Sequence, residues 1–191
     1  MCGISGYISE KQLIKKDSLI KTISLMHHRG PDANKYITKR YQDKELAMLH
    51  TRLNIIDLND RSNQPYVENN FTLIFNGEIY NFLEIKESLK DKYKFKAKSD
   101  TEVLLRAYQE YGAKCVDHFI GMWAFAIWDE KKKELFLSRD PFGEKPLFYF
   151  INEKGFFFGS EIKFIKSLCN EKFTQNKELI KNHLFLGYKS L

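Results

Sequence analysis

The chain has 191 residues, of which 43% are hydrophobic and 29% charged, a balance that excludes an intrinsically disordered protein. This length suits one domain with a substantial core. The net charge of +6 comes mostly from lysine, with 25 Lys against 6 Arg, and the scarcity of arginine argues against nucleic-acid recognition. No apolar run approaches the roughly 18 residues of a membrane span, so the sequence predicts no membrane partner.

The hydrophobic pattern, taken in chain order, predicts a mixture of strands and helices. The first strand covers 2–8, and a helix follows over 17–28 with Asp17 or Ser18 as its N-cap. The remaining elements are predicted as strands at 35–40, 45–51 and 71–76, a loop at 57–70, helices at 82–91 and 100–111, strands at 121–128, 134–139, 147–151 and 155–159, and a helix at 161–168. This order favours an α+β fold with antiparallel sheets covered by helices.

Two stretches carry more specific predictions. Residues 121–128 are apolar on both faces, which is typical of a central strand covered on both sides. Residues 90–98 alternate lysine with aromatic or small residues, which predicts a half-buried edge strand.

The three cysteines, Cys2, Cys115 and Cys169, form no Cys-x-x-Cys pair and are odd in number. They therefore predict neither a disulfide framework nor a zinc site, and they fit the reducing cytoplasm. The pair His27-His28 is not read as a metal site, because adjacent helical residues point about 100° apart.

Cys2 is the first candidate for chemistry. Removal of Met1 would leave a cysteine with a free α-amine, so that one residue would carry both a nucleophile and a base. The alternative is an ordinary small apolar residue at the start of a strand.

Three further positions each allow two interpretations, one structural and one chemical. Arg52 ends a predicted strand, where an arginine ordinarily forms a surface ion pair. Asn76-Gly77 is ordinarily a hairpin turn, but a side-chain amide and a glycine N–H could also stabilise an oxyanion. Asp100 begins a predicted helix, where it could cap the helix or hold a ligand's ammonium group.

These positions lie in a series of motifs that resembles one family over about residues 2–168. In chain order the motifs are Met-Cys-Gly-Ile-Ser-Gly at 1–6, His-Arg-Gly-Pro-Asp at 28–32, Arg-Leu-Asn-Ile-Ile-Asp at 52–57, Gln-Pro at 64–65, Asn-Gly-Glu-Ile-Tyr-Asn at 76–81, Ser-Asp-Thr-Glu at 99–102, Gly-Met-Trp-Ala-Phe-Ala at 121–126, Arg-Asp-Pro-Phe-Gly-Glu-Lys-Pro-Leu at 139–147 and Ser-Glu-Ile-Lys at 160–163. The series resembles the glutaminase domain of glutamine-hydrolysing asparagine synthetases. That domain is a class II glutamine amidotransferase with the N-terminal-nucleophile hydrolase fold, a four-layer sandwich of two stacked antiparallel sheets flanked by helices.

The resemblance implies a role for each matching residue. Cys2 would attack the side-chain amide of L-glutamine and form a thioester, with Asn76 and Gly77 as the oxyanion hole. Arg52 would bind the α-carboxylate of glutamine, and Asp100 its α-ammonium group, with Glu78 beside it. The backbone around Leu53, Asn54, Ile55 and Ile56 would line the same pocket.

The resemblance also implies what lies outside this domain. No cofactor or metal is expected here. ATP and Mg²⁺ belong to a synthetase domain whose Ser-Gly-Gly-x-Asp-Ser loop cannot lie in this chain, because the chain contains no Gly-Gly. Residues 169–191 resemble the start of that domain, so the expected partner is a synthetase domain or a separate synthetase subunit. The sequence leaves open another amide acceptor such as a surface-glycan sugar precursor, an inactive fragment that only binds a partner, and a homodimer.

Overall fold

Apolar side chains on both faces of the central strands produce two stacked antiparallel sheets. The computed structural model describes residues 1–9, 14–41, 44–55 and 62–186. Its strands are β1 (Gly3–Ser9), β2 (Ala33–Tyr41), β3 (Lys44–Arg52), β4 (Tyr66–Glu68), β5 (Phe71–Ile79), β6 (Gly121–Asp129), β7 (Glu134–Arg139), β8 (Phe148–Asn152) and β9 (Gly155–Gly159). They form a five-stranded sheet of order β2-β3-β1-β9-β8 and a four-stranded sheet of order β4-β5-β6-β7.

Helices cover the outer face of each sheet. They are α1 (Lys16–Met26), α2 (Phe82–Leu89), α3 (Asp100–Tyr111), α4 (Ile162–Cys169) and α5 (Lys177–Leu186), with a 3₁₀ helix at Gly112–His118. The first and fourth helices pack on the five-stranded sheet, and the second and third pack on the four-stranded sheet. The predicted α+β sandwich with helical outer layers is therefore confirmed. Among the described residues, no helix combines the length and the apolar character needed to span a membrane.

The alternation of side chains along β6 shows why its sequence is apolar on both faces. Trp123, Phe125 and Ile127 pack towards α2 and α3. Ala124 and Ala126 point the other way, into the layer between the two sheets. Because successive residues of a strand face opposite sides, both sides must be apolar, as predicted.

Residues 90–98 do not form the predicted edge strand. Lys96 and Ala97 instead donate their backbone N–H groups to the Glu102 carboxylate. Arg106 contacts the Lys94 carbonyl oxygen at 3.5 Å. Side chains of α3 thus satisfy backbone groups that a neighbouring strand would otherwise pair, and the segment follows α3 as an irregular chain.

Asn76-Gly77 lies within β5 and is not a hairpin turn. Asn76 stands opposite Ala124 and Gly77 opposite Trp123 in the antiparallel ladder with β6. A Cβ at residue 77 would overlap the Met122 carbonyl oxygen. The glycine is therefore required by the close approach of β6, and the local turn preference of Asn-Gly is overridden by strand pairing.

Most other boundaries agree with the predictions to within a few residues. The helix predicted at 17–28 begins at Lys16 with Lys15 as its N-cap residue, so neither Asp17 nor Ser18 caps it. It ends at Met26, after which the Arg29 and Gly30 N–H groups form tight bonds to carbonyls three residues back. The loop predicted at 57–70 contains β4, and its residues 57–61 lie outside the described residues.

Candidate active site

The side-chain alternation of three strands brings three of the predicted residues to one end of the layer between the sheets. Ile74 and Met48 pack in that layer. Asn76 lies two residues after Ile74 on β5 and Arg52 four residues after Met48 on β3, so both point to the same side as these apolar residues. Gly3 pairs with Thr51, so Cys2 lies level with Arg52 at the start of β1. A pocket at this end is lined by Cys2, Arg52 and Asn76 together with Asp100 from the first turn of α3.

The Cys2 thiol is held by the backbone at the end of β3. Sγ accepts the Leu53 N–H at 3.4 Å and lies 3.7 Å from the Leu53 carbonyl oxygen. The Cys2 carbonyl accepts a hydrogen bond from Arg29 Nε at 3.0 Å, and Arg29 Nη1 pairs with Glu161 at 3.1 Å. Burial raises the pKa of the Cys2 thiol, although the Leu53 N–H and the positive charges nearby oppose the shift. The thiol therefore needs a base in order to react near neutral pH.

Asn76 supplies a buried donor without a partner. The residue is only 1% exposed, and its Nδ2 has no hydrogen-bond partner within the described part of the chain. A buried amide N–H that lacks an acceptor costs about 1–3 kcal/mol, so its presence in a pocket indicates an acceptor that arrives with a ligand.

The Gly77 N–H points to the same pocket through the geometry of β5. The Trp123 carbonyl accepts from Asp140 N at 2.8 Å, on the side of β6 away from β5, so it does not pair with Gly77. Along the open edge of β5, the Phe75 N–H binds Gln64 Oε1 at 2.6 Å and the Ile79 N–H binds Asp100 Oδ2 at 3.1 Å. The N–H groups of alternate residues point to the same edge of a strand. The Gly77 N–H therefore points to the open edge of β5, between the Phe75 and Ile79 N–H groups.

A cation and an anion occupy separate parts of the pocket wall. Arg52 is 5% exposed, and its Nη1 donates to Asn63 Oδ1 at 2.7 Å. Burial raises the pKa of Asp100 to about 6, with the Ile79 N–H opposing the shift and the Glu78 carboxylate adding to it. Glu78 lines the same pocket. A zwitterionic amino acid has the complementary pair of charges.

The segment after Arg52 contributes only in part. Leu53 and Ile55 line the pocket. Asn54 donates its N–H to Asp32 Oδ2 at 2.7 Å, and its side chain is not part of the described pocket wall. Ile56 lies outside the described residues. Asp32 also donates its N–H to the Arg52 carbonyl at 3.0 Å, which ties the motif at 28–32 to the end of β3.

The pocket wall also contains residues for which the sequence predicted no role. Besides Met1, they are Ser62, Gln64, Phe75, Ser99, Thr101, Met122 and Lys145. Gln64 joins β5 to α3, because its Nε2 lies 3.4 Å from Thr101 Oγ1 while its Oε1 binds β5. Gln64 belongs to the motif at 64–65 and Lys145 to the motif at 139–147. Membership of these motifs is the sequence feature that could have pointed to both residues.

Other reactive side chains have structural positions. Burial lowers the pKa of His50 to about 3, and its Nε2 donates to the Phe75 carbonyl at 3.2 Å, so this histidine is neutral and links the two sheets. Cys115 and Cys169 are buried in the helical layers and form no disulfide. Throughout the described ranges, no three His, Cys, Asp or Glu side chains are grouped as metal ligands.

Comparison with known families decides what kind of domain this is. Residues 1–190 match the family described as the glutamine amidotransferase domain. The chain belongs to this family. Its fold agrees with that of the glutamine phosphoribosylpyrophosphate (PRPP) amidotransferase from Bacillus subtilis, with a TM-score of 0.68 and 20% sequence identity over 88% of this chain and 44% of that one.

Two curated relatives of this glutamine amidotransferase domain are asparagine synthetases. Glutamine-hydrolysing asparagine synthetase 3 of Bacillus subtilis (strain 168) is 39% identical over 172 residues, which cover 86% of this chain. Glutamine-hydrolysing asparagine synthetase 1 of the same organism is 38% identical over 178 residues, which cover 90% of this chain. The matches span only 27% of the length of each relative. This glutamine amidotransferase domain thus corresponds to about a quarter of either synthetase.

Proposed function

We propose that this domain hydrolyses L-glutamine to glutamate and ammonia through a thioester on Cys2. The observation that carries the proposal is the unpartnered Nδ2 of Asn76, buried in the pocket that also holds the Cys2 thiol. Arg52 and Asp100 in the same pocket match the two charges of the glutamine backbone. The site would need no cofactor, since every group that the reaction requires is a side chain, a backbone N–H or the α-amine.

The α-amine of Cys2 acts as the base once Met1 has been removed. A free α-amine has a pKa of roughly 7.7–8.0, so a useful fraction is neutral near pH 7.5. It takes the thiol proton, and the thiolate attacks the side-chain carbonyl carbon of glutamine. The negative charge that develops on the carbonyl oxygen is stabilised by Asn76 Nδ2 and the Gly77 N–H.

Collapse of this intermediate breaks the carbon–nitrogen bond. The α-ammonium group of Cys2 returns its proton to the departing nitrogen, ammonia leaves, and the thioester remains. The α-amine, neutral again, takes a proton from a water molecule that attacks the thioester, and glutamate is released with regeneration of the thiol. Atoms and protons balance over the cycle.

The direct test is the activity of the purified chain with and without Met1. Intact mass identifies the two forms. We expect the form that begins at Cys2 to produce glutamate and ammonia in equal amounts, and the form that retains Met1 to be inactive, because its Cys2 nitrogen is an amide. Equal activity of the two forms would contradict the role of the α-amine, and inactivity of both would contradict the proposed function.

A second prediction concerns the binding of the α-carboxylate. We expect Arg52→Lys to raise the KM for glutamine by about 10–100-fold with little change in kcat, because lysine keeps the charge and loses the bidentate contact. Asn63→Ala is the control, since it removes the amide oxygen that accepts from Arg52 and leaves the guanidinium in place. An unchanged KM in Arg52→Lys would show that Arg52 has only a structural role.

We further propose that the ammonia serves a synthetase domain or a separate synthetase subunit that amidates β-aspartyl-AMP, with ATP and Mg²⁺ bound there. Two observations support this: the greater length of the related asparagine synthetases, and the exposed apolar side chains of α5, where Leu184 is 78% and Phe185 79% exposed. In this proposal residues 2–168 form the glutaminase domain and 169–191 lead into the synthetase part.

The free cysteines suit the cytoplasm. Alone, the chain should release its ammonia to solvent and form no asparagine from aspartate and ATP.

A further inference from the structure

Lys145 is a buried cation that the reaction described so far does not use. The residue is 7% exposed and lines the pocket beside Cys2. Its Nζ lies 3.5 Å from Met1 Sδ, and this thioether is its one polar partner among the residues that the structure describes. A thioether is a weak acceptor and offers little compensation for a buried ammonium group. The proposed removal of Met1 would take even this partner away.

The loop that carries Lys145 is organised around its backbone. Arg139 Nε donates to the Lys145 carbonyl at 2.8 Å, and the Lys145 N–H donates to Asp140 Oδ2 at 3.0 Å. Glu144 N–H donates to the other Asp140 oxygen at 2.9 Å. Gly143 has a φ of +66°, a conformation that favours glycine, and this closes the loop. The Arg-Asp-x-x-Gly-x-Lys motif therefore fixes the position of Lys145, and it does so without using the ammonium group.

The covalent geometry of Met1 limits the distance between Lys145 and the reacting groups. Five covalent bonds join Met1 Sδ to the Cys2 nitrogen, so the straight-line distance between these atoms is at most about 6 Å and Nζ lies within about 10 Å of that nitrogen. At this distance a unit charge changes a neighbouring proton affinity by about 0.3–1 pH unit, depending on the effective dielectric constant.

In the proposed binding mode, the pocket charges other than Lys145 leave one carboxylate in excess. Within the described residues, the charged side chains that line the pocket are Arg52, Glu78, Asp100 and Lys145. Arg52 would pair with the α-carboxylate, and the two carboxylates would face the α-ammonium group. Arg29, the cation at the Cys2 carbonyl, pairs with Glu161. Lys145 is the cation of this set that forms no direct ion pair with the substrate or with an acidic side chain in the described residues.

We propose that Lys145 is a positioning residue that acts through the charge of its ammonium group. This charge lowers the pH at which the α-amine of Cys2 becomes neutral and the pH at which its thiol becomes a thiolate. The inference rests on the proposed glutaminase function. A nearby positive charge disfavours the protonated amine and favours the thiolate, so both members of the thiol–amine pair respond in the same direction. The enzyme would then retain activity at a pH where an ordinary α-amine is mostly protonated.

The test is the pH dependence of kcat at saturating glutamine, measured between about pH 5.5 and 9 in the form that begins at Cys2. Saturation keeps Asp100 paired with the substrate, so that its own titration does not enter. We expect Lys145→Met to move the acid limb about 0.3–1 pH unit towards alkaline pH and to leave the alkaline plateau unchanged. Lys145→Arg should restore most of the shift. Lys132→Met, which removes an exposed lysine from the turn after β6, should change nothing.

Two outcomes would overturn the role of Lys145. A loss of kcat by the same factor at every pH in Lys145→Met would indicate a structural residue, and an unmoved acid limb would show that its charge does not act on Cys2. The rate of Cys2 alkylation by iodoacetamide against pH gives the same shift without turnover. If the parent chain does not hydrolyse glutamine, the proposed function fails, whereas the alkylation profiles still decide whether Lys145 acts on Cys2.

Discussion

We expect glutamine hydrolysis to fall by about 10⁴-fold or more in Cys2→Ala, because the substitution removes the only group that the proposed mechanism uses to form a covalent bond. The fold should be retained. Cys2 precedes β1, is partly exposed, and contributes to none of the three apolar clusters. Thermal unfolding and calorimetric binding of glutamine are therefore expected to change little.

Cys169→Ala is the matched control for the loss of a thiol. Cys169 is buried in α4 against the five-stranded sheet, on the side away from the pocket. We expect some loss of stability in this variant and an unchanged kcat for the folded protein. Activity in Cys2→Ala above about one hundredth of the parent value would exclude Cys2 as the nucleophile.

The second large effect is expected at Asn76. Asn76→Ala should lower kcat by about 10²–10³-fold with a smaller change in KM, because Nδ2 binds the oxygen most strongly when it carries negative charge. The free energy of unfolding should stay the same or rise slightly, since the variant loses a buried donor that has no partner in the substrate-free protein. Steady-state kinetics and thermal unfolding measure the two quantities separately.

Thr72→Val is the control for Asn76→Ala. Thr72 lies on the same strand, and its buried Oγ1 also lacks a hydrogen-bond partner in the described residues, but it does not line the pocket. We expect Thr72→Val to leave kcat unchanged. If Asn76→Ala instead raised KM and left kcat intact, Asn76 would bind the substrate and would not stabilise an oxyanion.

Much of the fold could be predicted because the apolar pattern follows directly from the layers. Residues 121–128 are apolar on both faces because β6 is covered by helices on one side and by the second sheet on the other. The edge strand predicted at 90–98 failed because a lysine–aromatic alternation contains no information about Glu102, whose carboxylate binds the backbone there. Local patterns do not report such tertiary contacts.

In the candidate site, too, some residues could be predicted from the sequence and others depend on tertiary contacts. Cys2, Arg52, Asn76 and Asp100 stand out in the sequence because their chemistry is unusual at those positions. Side-chain alternation along the strands brings the first three together, and α3 adds Asp100. Lys145 does not stand out, because its position depends on backbone contacts from Arg139 and Asp140 and on the burial of its side chain. In the sequence it is one lysine among 25.

The proposed mechanism cleaves glutamine through a thioester on Cys2. The most direct measurement is the mass of the form that begins at Cys2, mixed with glutamine, quenched with acid within its first turnovers and then digested. We expect the N-terminal peptide to carry one glutamyl group, at a level that falls as glutamine is exhausted, and the peptides with Cys115 and Cys169 to be unmodified. Formation of glutamate at the full rate with no glutamyl group on the N-terminal peptide, and with Cys2→Ala equally active, would contradict it.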